Sequence, residues 1–225
     1  MKISNIAVFS ALMSASLQAA TIIVNDAATN AIPDGSSSGL ARQLTVNAPG
    51  ETITDMQLDL SISALPTGVA YLGDLYVYLS HGTDLSVLLN RPGRRIGAPA
   101  GYSDNQSINV TFSGASVNDI HNYCLALNGN HNTALSSTLT GIWQPDGRAI
   151  DPALVLDSDD RTAGFDVFSG DLADGTWTLF AADLSTGAQH QITGWTLTLT
   201  TVPEPSSALL FVSAAAAFGL RRKRA

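Results

Sequence analysis

The sequence predicts an all-β protein, built as an antiparallel sandwich or barrel. Helical periodicity is hard to find between residues 21 and 200, whereas short runs rich in Val, Ile, Thr, Leu and aromatic residues recur between clusters of Gly, Asn, Asp and Pro. The clearest run, residues 195–200, alternates Trp or Leu with Thr. Because successive side chains of a strand point to opposite faces, one face of this strand is expected to be buried.

The N-terminus predicts a secretory signal peptide over residues 1–20. One basic residue, Lys2, precedes an uncharged stretch, and small residues follow at Ala19 and Ala20. The stretch is interrupted by serines and is shorter than the roughly 20 residues that a permanent membrane helix needs. We expect signal peptidase to remove this signal helix after Ala19 or Ala20. The alternative is a buried N-terminal helix of the fold.

Residues 21–200 are expected to form one domain, which at this size buries about 70% of its chain surface. The predicted strands cover residues 40–46, 53–62, 75–79, 85–90, 108–112, 175–182 and 195–200. Residues 122–156 are less regular, because Gly and Pro residues interrupt any element there. Long loops on a β scaffold often bind ligands, but many are only tolerated insertions.

The charge of this domain excludes a nucleic-acid role. Residues 21–200 contain six Arg, no Lys and 18 acidic residues, which gives a net charge of −12. Binding to phosphate backbones depends on Lys and Arg, so this domain repels nucleic acid and anionic membrane surfaces. Most of the acidic residues are Asp, which serves solubility outside the cell and also suits calcium.

Cys124 is the single cysteine, so no intrachain disulfide framework is expected. The sequence favours a buried thiol that packs as an apolar side chain. A catalytic cysteine needs a base close in space, and His121 is the only histidine near it in sequence. We do not expect nucleophilic catalysis from this pair.

The C-terminus predicts a second trafficking signal. A Pro-Glu-Pro triplet precedes an apolar run at residues 208–220 and a basic tail. This order resembles the PEP-CTERM sorting signal, which implies transient insertion into the inner membrane of a Gram-negative bacterium, recognition by an exosortase, and delivery to the envelope or an extracellular polysaccharide matrix. A retained tail anchor is the alternative. The matching residues are Pro203, Glu204, Pro205, Arg221, Arg222, Lys223 and Arg224.

Two blocks resemble the P domain, or Homo B domain, of subtilisin-like proprotein convertases. The first block spans residues 53–60 and 73–79, and the second has Gly175 and Trp177, then Asp183, then Gly194 and Trp195. The resemblance implies a jelly-roll β-sandwich of about eight mainly antiparallel strands. The signal helix and a C-terminal hydrophobic helix, predicted from the two terminal signals, are expected to flank it. The turn at residues 80–83 and the pair at 113–114 depart from the family pattern, which weakens any inherited calcium ligand there.

The sequence carries no recognisable catalytic site, and we expect the chain not to be an enzyme. We expect no protease domain beside the P-like region, because residues 21–200 are already assigned to the sandwich, and no Gly-x-Ser-x-Gly motif occurs. The histidines lie in predicted loops or turns without a Ser or Asp partner at a recognisable motif spacing. The four are His81, His121, His131 and His190.

Calcium is the one cofactor for which the sequence offers ligands. Three aspartates fall within residues 157–160, and two others lie at turns that the P-domain fold would bring near strand ends. No EF-hand loop is present, so a solvated acidic loop is the alternative. The candidate ligands are Asp74, Asp157, Asp159, Asp160 and Asp183.

The sequence therefore favours an exported, non-catalytic binding or structural module. One alternative is an accessory domain that docks on a separate exported subtilisin-like protease, by analogy with the P-domain family. Another alternative is a carbohydrate-binding module, which would hold an exopolysaccharide on aromatic side chains. The candidate aromatics, each of which could instead pack in the core or on a sheet face, are Tyr71, Tyr76, Tyr78, Tyr102 and Trp143.

Overall fold

A computed structural model describes residues 18–65 and 69–204 and shows a predominantly β protein. The predicted signal helix and C-terminal hydrophobic helix fall almost entirely on residues 1–17 and 205–225, outside the described residues. Within the described ranges, no helix is long and apolar enough to cross a membrane.

Ten strands form the described part of the chain, together with one short α-helix, α1 (Tyr123–Asn128). The strands are β1 (Ala20–Asp26), β2 (Asn30–Ala31), β3 (Ser36–Val46), β4 (Glu51–Ala64), β5 (Leu75–His81), β6 (Asp84–Asn90), β7 (Ile108–Ser113), β8 (Leu139–Trp143), β9 (Gly175–Asp183) and β10 (His190–Pro203). Three short 3₁₀ turns lie at Leu72–Asp74, Ile120–Asn122 and Phe165–Phe168.

The strands make two sheets. Sheet A has the order β1-β10-β4-β7-β8, with β2 paired to β10, and sheet B has the order β3-β9-β5-β6. Every strand pairing is antiparallel except that between β7 and β8, which is parallel. Strands adjacent in space are often distant in sequence: β10 lies between β1 and β4, and β9 lies between β3 and β5.

One hydrophobic core joins the two sheets. In β4, Met56, Leu58, Leu60 and Ile62 are buried and the residues between them are exposed or half-buried, as expected for a strand with one face on a core. Sheet B contributes Leu75, Val77 and Leu79 of β5, and Trp177 and Leu179 of β9, to the same cluster. The sheets therefore pack face to face, and their outer faces are left for solvent or ligands.

All seven predicted strands are present, and each is longer than predicted by at least one residue. The sequence analysis missed β1, β2, β8 and α1. Strand β8 contains Gly141 at φ 101°, a residue that marks a loop in sequence but here lies within a paired strand. Residues 18–65 and 69–204 contain ten strands where about eight were expected, and jelly-roll connectivity is not confirmed.

Candidate functional site

Two tyrosines project from the outer face of sheet B. In β5, Tyr76 and Tyr78 are half-buried and alternate with the fully buried Leu75, Val77 and Leu79. The pleat of the strand forces this alternation, so the three aliphatic side chains fill the core and both phenol rings face outward. Their ring centroids lie 5.9 Å apart, with the planes tilted by 60°.

Phe180 of β9 extends this aromatic surface onto the neighbouring strand. Tyr78 and Phe180 are direct cross-strand partners, and their rings stack with centroids 4.8 Å apart and planes 18° from parallel. The backbone of Gly39 in β3 lies against Phe180: a Cβ at position 39 would come within 2.4 Å of the Phe180 ring. Glycine at this position therefore allows β3 to pack against the ring.

The three rings line a cleft with a volume of about 510 Å³. This is within the range of small-ligand sites. Beyond the rings, the lining residues are Ser37, Arg91, Asp151, Pro152, Ala153, Ala182 and Leu184. The cleft thus combines three aromatic rings with one guanidinium, one carboxylate and one hydroxyl group.

The loop that forms one wall of the cleft is fixed by hydrogen bonds. Asn90, at the end of β6, donates from Nδ2 to the carbonyl oxygens of Ile150 at 2.9 Å and Arg148 at 3.0 Å. Arg94 donates to the carbonyl oxygens of Ala153 and, at 3.2 Å, Val155. The wall is therefore attached to the sheet by side chains and is largely preformed.

Arg91 lies at the rim of the cleft in a constrained conformation. Its φ of 48° is the one positive value among the non-glycine residues that the structure describes. The guanidinium donates from Nε to the carbonyl oxygen of Gly73 at 3.1 Å and lies 3.6 Å from a carboxylate oxygen of Asp74. These contacts hold the cationic group beside the aromatic surface.

The other aromatic candidates lie elsewhere. Tyr102 and Trp143 are buried in the core, and Tyr102 packs against Tyr123 with ring centroids 4.6 Å apart. Tyr71 is exposed but does not line the cleft. The sequence analysis missed Phe180, although the alternation of β9 carried the signal: buried Trp177 and Leu179 leave Phe180 on the opposite face.

A second group of polar residues forms a network behind the cleft wall, in which His121, Asp146 and Arg148 are buried and Asp119 is half-buried. His121 has Nδ1 at 2.8 Å from a carboxylate oxygen of Asp146 and Nε2 at 2.9 Å from the carbonyl oxygen of Arg94. Arg148 donates to Asp146 at 3.1 Å and to Asp119 at 2.8 Å. The network thus connects Arg94, which holds the cleft wall, to residues 146–148, which precede the wall in sequence.

The candidate calcium ligands fall into two separate groups. Asp74 and Asp183 lie near each other, and each has a nitrogen-bearing partner. Arg91 lies 3.6 Å from Asp74, and Nδ1 of the His190 imidazole lies 2.7 Å from Oδ2 of Asp183. Burial raises the pKa of Asp74, and the charge of Asp183 adds to that effect. The three aspartates at 157–160 lie in the loop after the cleft wall, where Asp159 accepts from the Leu156 amide at 2.8 Å.

No group of three or more His, Cys, Asp or Glu residues in the described part of the chain is arranged to hold a metal ion.

The sequence analysis placed all four histidines in loops or turns without partners. In the structure, His121 and His190 each pair with an aspartate, and His81 and His190 belong to strands. Tertiary contacts make these pairs, which are 25 and seven residues apart in sequence.

Cys124 is buried, as expected, and lies apart from the base considered for it. Its thiol donates to Asp104 at 3.4 Å, whereas His121 binds Asp146 instead. Burial, together with the charge of Asp104, raises the pKa of Cys124 to about 12. The thiol is therefore almost wholly protonated at neutral pH.

The first two residues of the Pro-Glu-Pro triplet belong to the folded domain. Pro203 ends β10 and pairs with Glu51, and the amide of Glu204 donates to the carbonyl oxygen of Gly50 at 2.8 Å. β10 therefore extends three residues beyond the predicted end at Thr200. Pro205 and the four basic residues of the sorting signal lie outside the described residues.

A family model for the PEP-CTERM protein-sorting motif matches residues 201–224. This motif implies an exported protein that exosortase recognises and processes for the envelope or the extracellular matrix. The search of curated proteins finds no match. The comparisons give no support to the resemblance to the P domain.

Proposed function

Because the chain carries an exosortase sorting signal, its work lies outside the cytoplasm, and we propose that it is a non-catalytic module that binds a saccharide chain in the cleft of sheet B. The observation that supports this function is the stacked pair Tyr78 and Phe180, extended by Tyr76 along one outward-facing surface.

The chemistry of a sugar ring matches this surface. One face of a pyranose exposes C–H groups with slight positive charge, which are attracted to the negative face of an aromatic ring. Hydroxyl groups at the edge of the sugar then remain free for hydrogen bonds with polar side chains. Arg91, Asp151 and Ser37 supply donors and acceptors at the rim of the cleft.

The destination of the protein supports the same ligand class. Exosortase processing leads to the envelope or an extracellular matrix, and polysaccharide is a major polymer of both. The high negative charge of the domain favours a neutral polysaccharide, because an anionic one would be repelled at long range. We therefore place a neutral glycan in the cleft.

The residues that line the cleft support binding without hydrolysis. A glycoside hydrolase uses a pair of carboxylates on either side of the scissile bond. Asp151 is the one carboxylate in this lining, and its Oδ1 accepts a hydrogen bond from the Ala153 amide at 2.8 Å. The role of Asp151 is thus to hold the wall loop and to accept a hydroxyl hydrogen bond.

Affinity electrophoresis of the 18–204 segment through gels that contain neutral polysaccharides tests this function. Retardation by at least one neutral glycan is expected, with Tyr78→Ala and Phe180→Ala each weakening it at least tenfold. Tyr71→Ala is the matched control, because Tyr71 is exposed outside the cleft. Equal retardation of the Tyr78→Ala variant and the unaltered protein would rule out the cleft as the site.

Docking on a separate exported protease stays a prediction. Co-purification of the secreted domain with an exported subtilisin-like protease from the producing cells is its test. A saccharide-binding domain that recovers no protease would remove this alternative.

A further inference from the structure

The segment matched by the sorting motif begins inside the folded sheet. Thr201 is fully buried, pairs with Ile53 of β4, and donates from its hydroxyl to the Glu51 carboxylate at 2.8 Å. The next residues follow β4 to its start, and the amide of Glu204 donates to the carbonyl oxygen of Gly50. The first four residues of the 201–224 match are therefore ordered by the domain itself.

The two predicted processing points lie side by side. Ala20, at the expected signal-peptidase site, is the direct partner of Thr201 in the antiparallel ladder between β1 and β10. Neighbouring strands are about 5 Å apart, so both ends of the mature domain leave the sandwich at the same place. We call the residues around this place, Ala20, residues 47–51 and Thr201–Glu204, the terminal end.

The terminal end is negatively charged. The carboxylate of Asp174 accepts a hydrogen bond from the Ala48 amide at 2.8 Å. Asp171 lies next to the start of β4, because its backbone carbonyl oxygen accepts a hydrogen bond from the Ile53 amide. Glu51 and Glu204 add two further carboxylates. The arginine side chains in the described part of the chain donate hydrogen bonds to groups elsewhere in the domain. These residues are Arg42, Arg91, Arg94, Arg95, Arg148 and Arg161.

We propose that the terminal end is the surface that the folded domain presents to exosortase, and that the enzyme recognises Pro203 and Glu204 while they remain paired with Glu51 and Gly50. The partner surface is a basic, extended-peptide groove, since it must accept a carboxylate-rich end and a β-strand backbone. β4 lies along one edge of β10, and β1 lies along the other edge. Because β1 begins at Ala20, the partner of Thr201, no described strand pairs with Val202 and Pro203 on the β1 edge.

Chain length supports recognition on the folded domain. Only three residues separate Glu204 from the apolar run that begins at Ala208, and these can span at most about 14 Å between the two Cα atoms. An enzyme at the membrane surface must therefore act directly against the sandwich. Pairing with β4 also fixes residues 201–203 in an extended conformation beforehand, which removes part of the entropic cost of binding.

The cleft lies towards the opposite end of the sheets. Tyr76 pairs with Ala182 near the end of β9, whereas Gly175 at the start of β9 pairs with Val46, next to the terminal end. A domain attached to the membrane or enzyme at the terminal end thus keeps its cleft directed away from it. The proposal for exosortase does not depend on the ligand of that cleft.

The test separates the motif from the sheet without changing the motif. Six Gly and Ser residues inserted between Thr200 and Thr201 leave residues 201–224 intact but free them from β4. The full chain is expressed in a bacterium that makes exosortase, and loss of the C-terminal tail is followed by pulse-chase and gel mobility. Tail removal is expected to slow at least fivefold, and processing at the original rate would overturn the proposal.

Two controls separate this effect from misfolding. The same six residues inserted between Gly129 and Asn130, in an exposed loop, should leave the rate of tail removal unchanged. In a second pair, Glu51→Gln keeps an acceptor for the Thr201 hydroxyl, and Glu51→Lys removes it and reverses the charge. Tail removal should slow slightly in the Glu51→Gln variant, which loses one negative charge, and severalfold in the Glu51→Lys variant; equal rates in both would also overturn the proposal.

Discussion

His121 and Asp146 form a hydrogen-bonded ion pair in the interior, with the imidazole Nδ1 2.8 Å from the carboxylate and both side chains fully buried. The second ring nitrogen faces the carbonyl oxygen of Arg94 at 2.9 Å. Both partners are oxygen acceptors, so this arrangement favours the imidazolium form of His121, in which both ring nitrogens donate. Arg94 in turn holds Ala153 and Val155, which links this pair to the wall of the cleft.

This pair predicts a loss of stability at alkaline pH. Burial disfavours the charged imidazole, but the hydrogen bond and charge of Asp146 outweigh burial and raise the pKa of His121 above 6.5. Because the pKa of His121 is higher in the folded state than in the unfolded state, protonation stabilises the fold. This contribution is complete below about pH 6.5, the pKa of an unfolded histidine, and is lost as pH rises through the folded-state pKa. Urea unfolding of the 18–204 segment between pH 5 and 9 measures the effect.

On the acid side, Asp119 should act in the opposite sense. Burial opposes its charge, but the hydrogen bond and charge of Arg148 lower its pKa below 3.8. Its contribution to stability is present above about pH 3.9 and is lost as pH falls through the folded pKa.

The variant His121→Gln tests the alkaline effect. It should cost about 3 kcal/mol of unfolding free energy near pH 6 and flatten only the alkaline decline in stability. An unchanged alkaline slope in that variant would contradict the assignment.

Gly39→Ala should destabilise the protein more than Gly50→Ala. Both glycines have positive φ, at 55° and 75°, so the backbone penalty of roughly 1 kcal/mol is shared. Only at position 39 would the new Cβ meet the Phe180 ring, because nothing lies within 4 Å of a Cβ at position 50. The difference in unfolding free energy is expected to be about 1–3 kcal/mol by denaturant titration.

The same pair of variants also tests the cleft. Displacement of Phe180 by Gly39→Ala should weaken saccharide binding, and Gly50→Ala should leave it unchanged. Equal stability of the two variants would show that Phe180 can move without cost.

The thiol of Cys124 should be unreactive in the folded state. Its pKa of about 12 leaves almost no thiolate at pH 8, and its side chain is buried. A disulfide reagent that releases a coloured thiolate should react at least 100-fold faster in 8 M urea than in native buffer. Comparable rates in the two conditions would show that the 124 region opens readily.

Calcium binding stays a prediction that thermal unfolding can test. Asp74 and Asp183 already have Arg91 and His190 as partners, so a calcium effect should depend on the loop at 157–160. The predicted result is a higher unfolding midpoint in calcium than in chelator, since a ligand at 100 times its dissociation constant adds about 2.7 kcal/mol. Asp157→Asn with Asp160→Asn should abolish the rise, whereas coincident curves for the unaltered protein would refute calcium binding.

Much of the β framework was predictable because strand periodicity is a local property. Alternation in β4, β5, β9 and β10 follows directly from residues two positions apart, and these strands form the centres of the two sheets. Strand β8 was missed because Gly141 interrupts its pattern, and its pairing with β7 compensates for that weak propensity. Local composition cannot report a stabilising partner that lies 31 residues earlier in the chain.

The sequence by itself determined the all-β class, the central strands, the acidic character and the sorting signal at 201–224. Each of these depends on composition, on periodicity or on a contiguous motif. Only the tertiary structure decided that Tyr78 stacks on Phe180, that His121 pairs with Asp146, and that Ala20 lies beside Thr201. Those residues are 102, 25 and 181 positions apart. Pairing of distant strands in register brings them together, and no local pattern in the chain encodes that register.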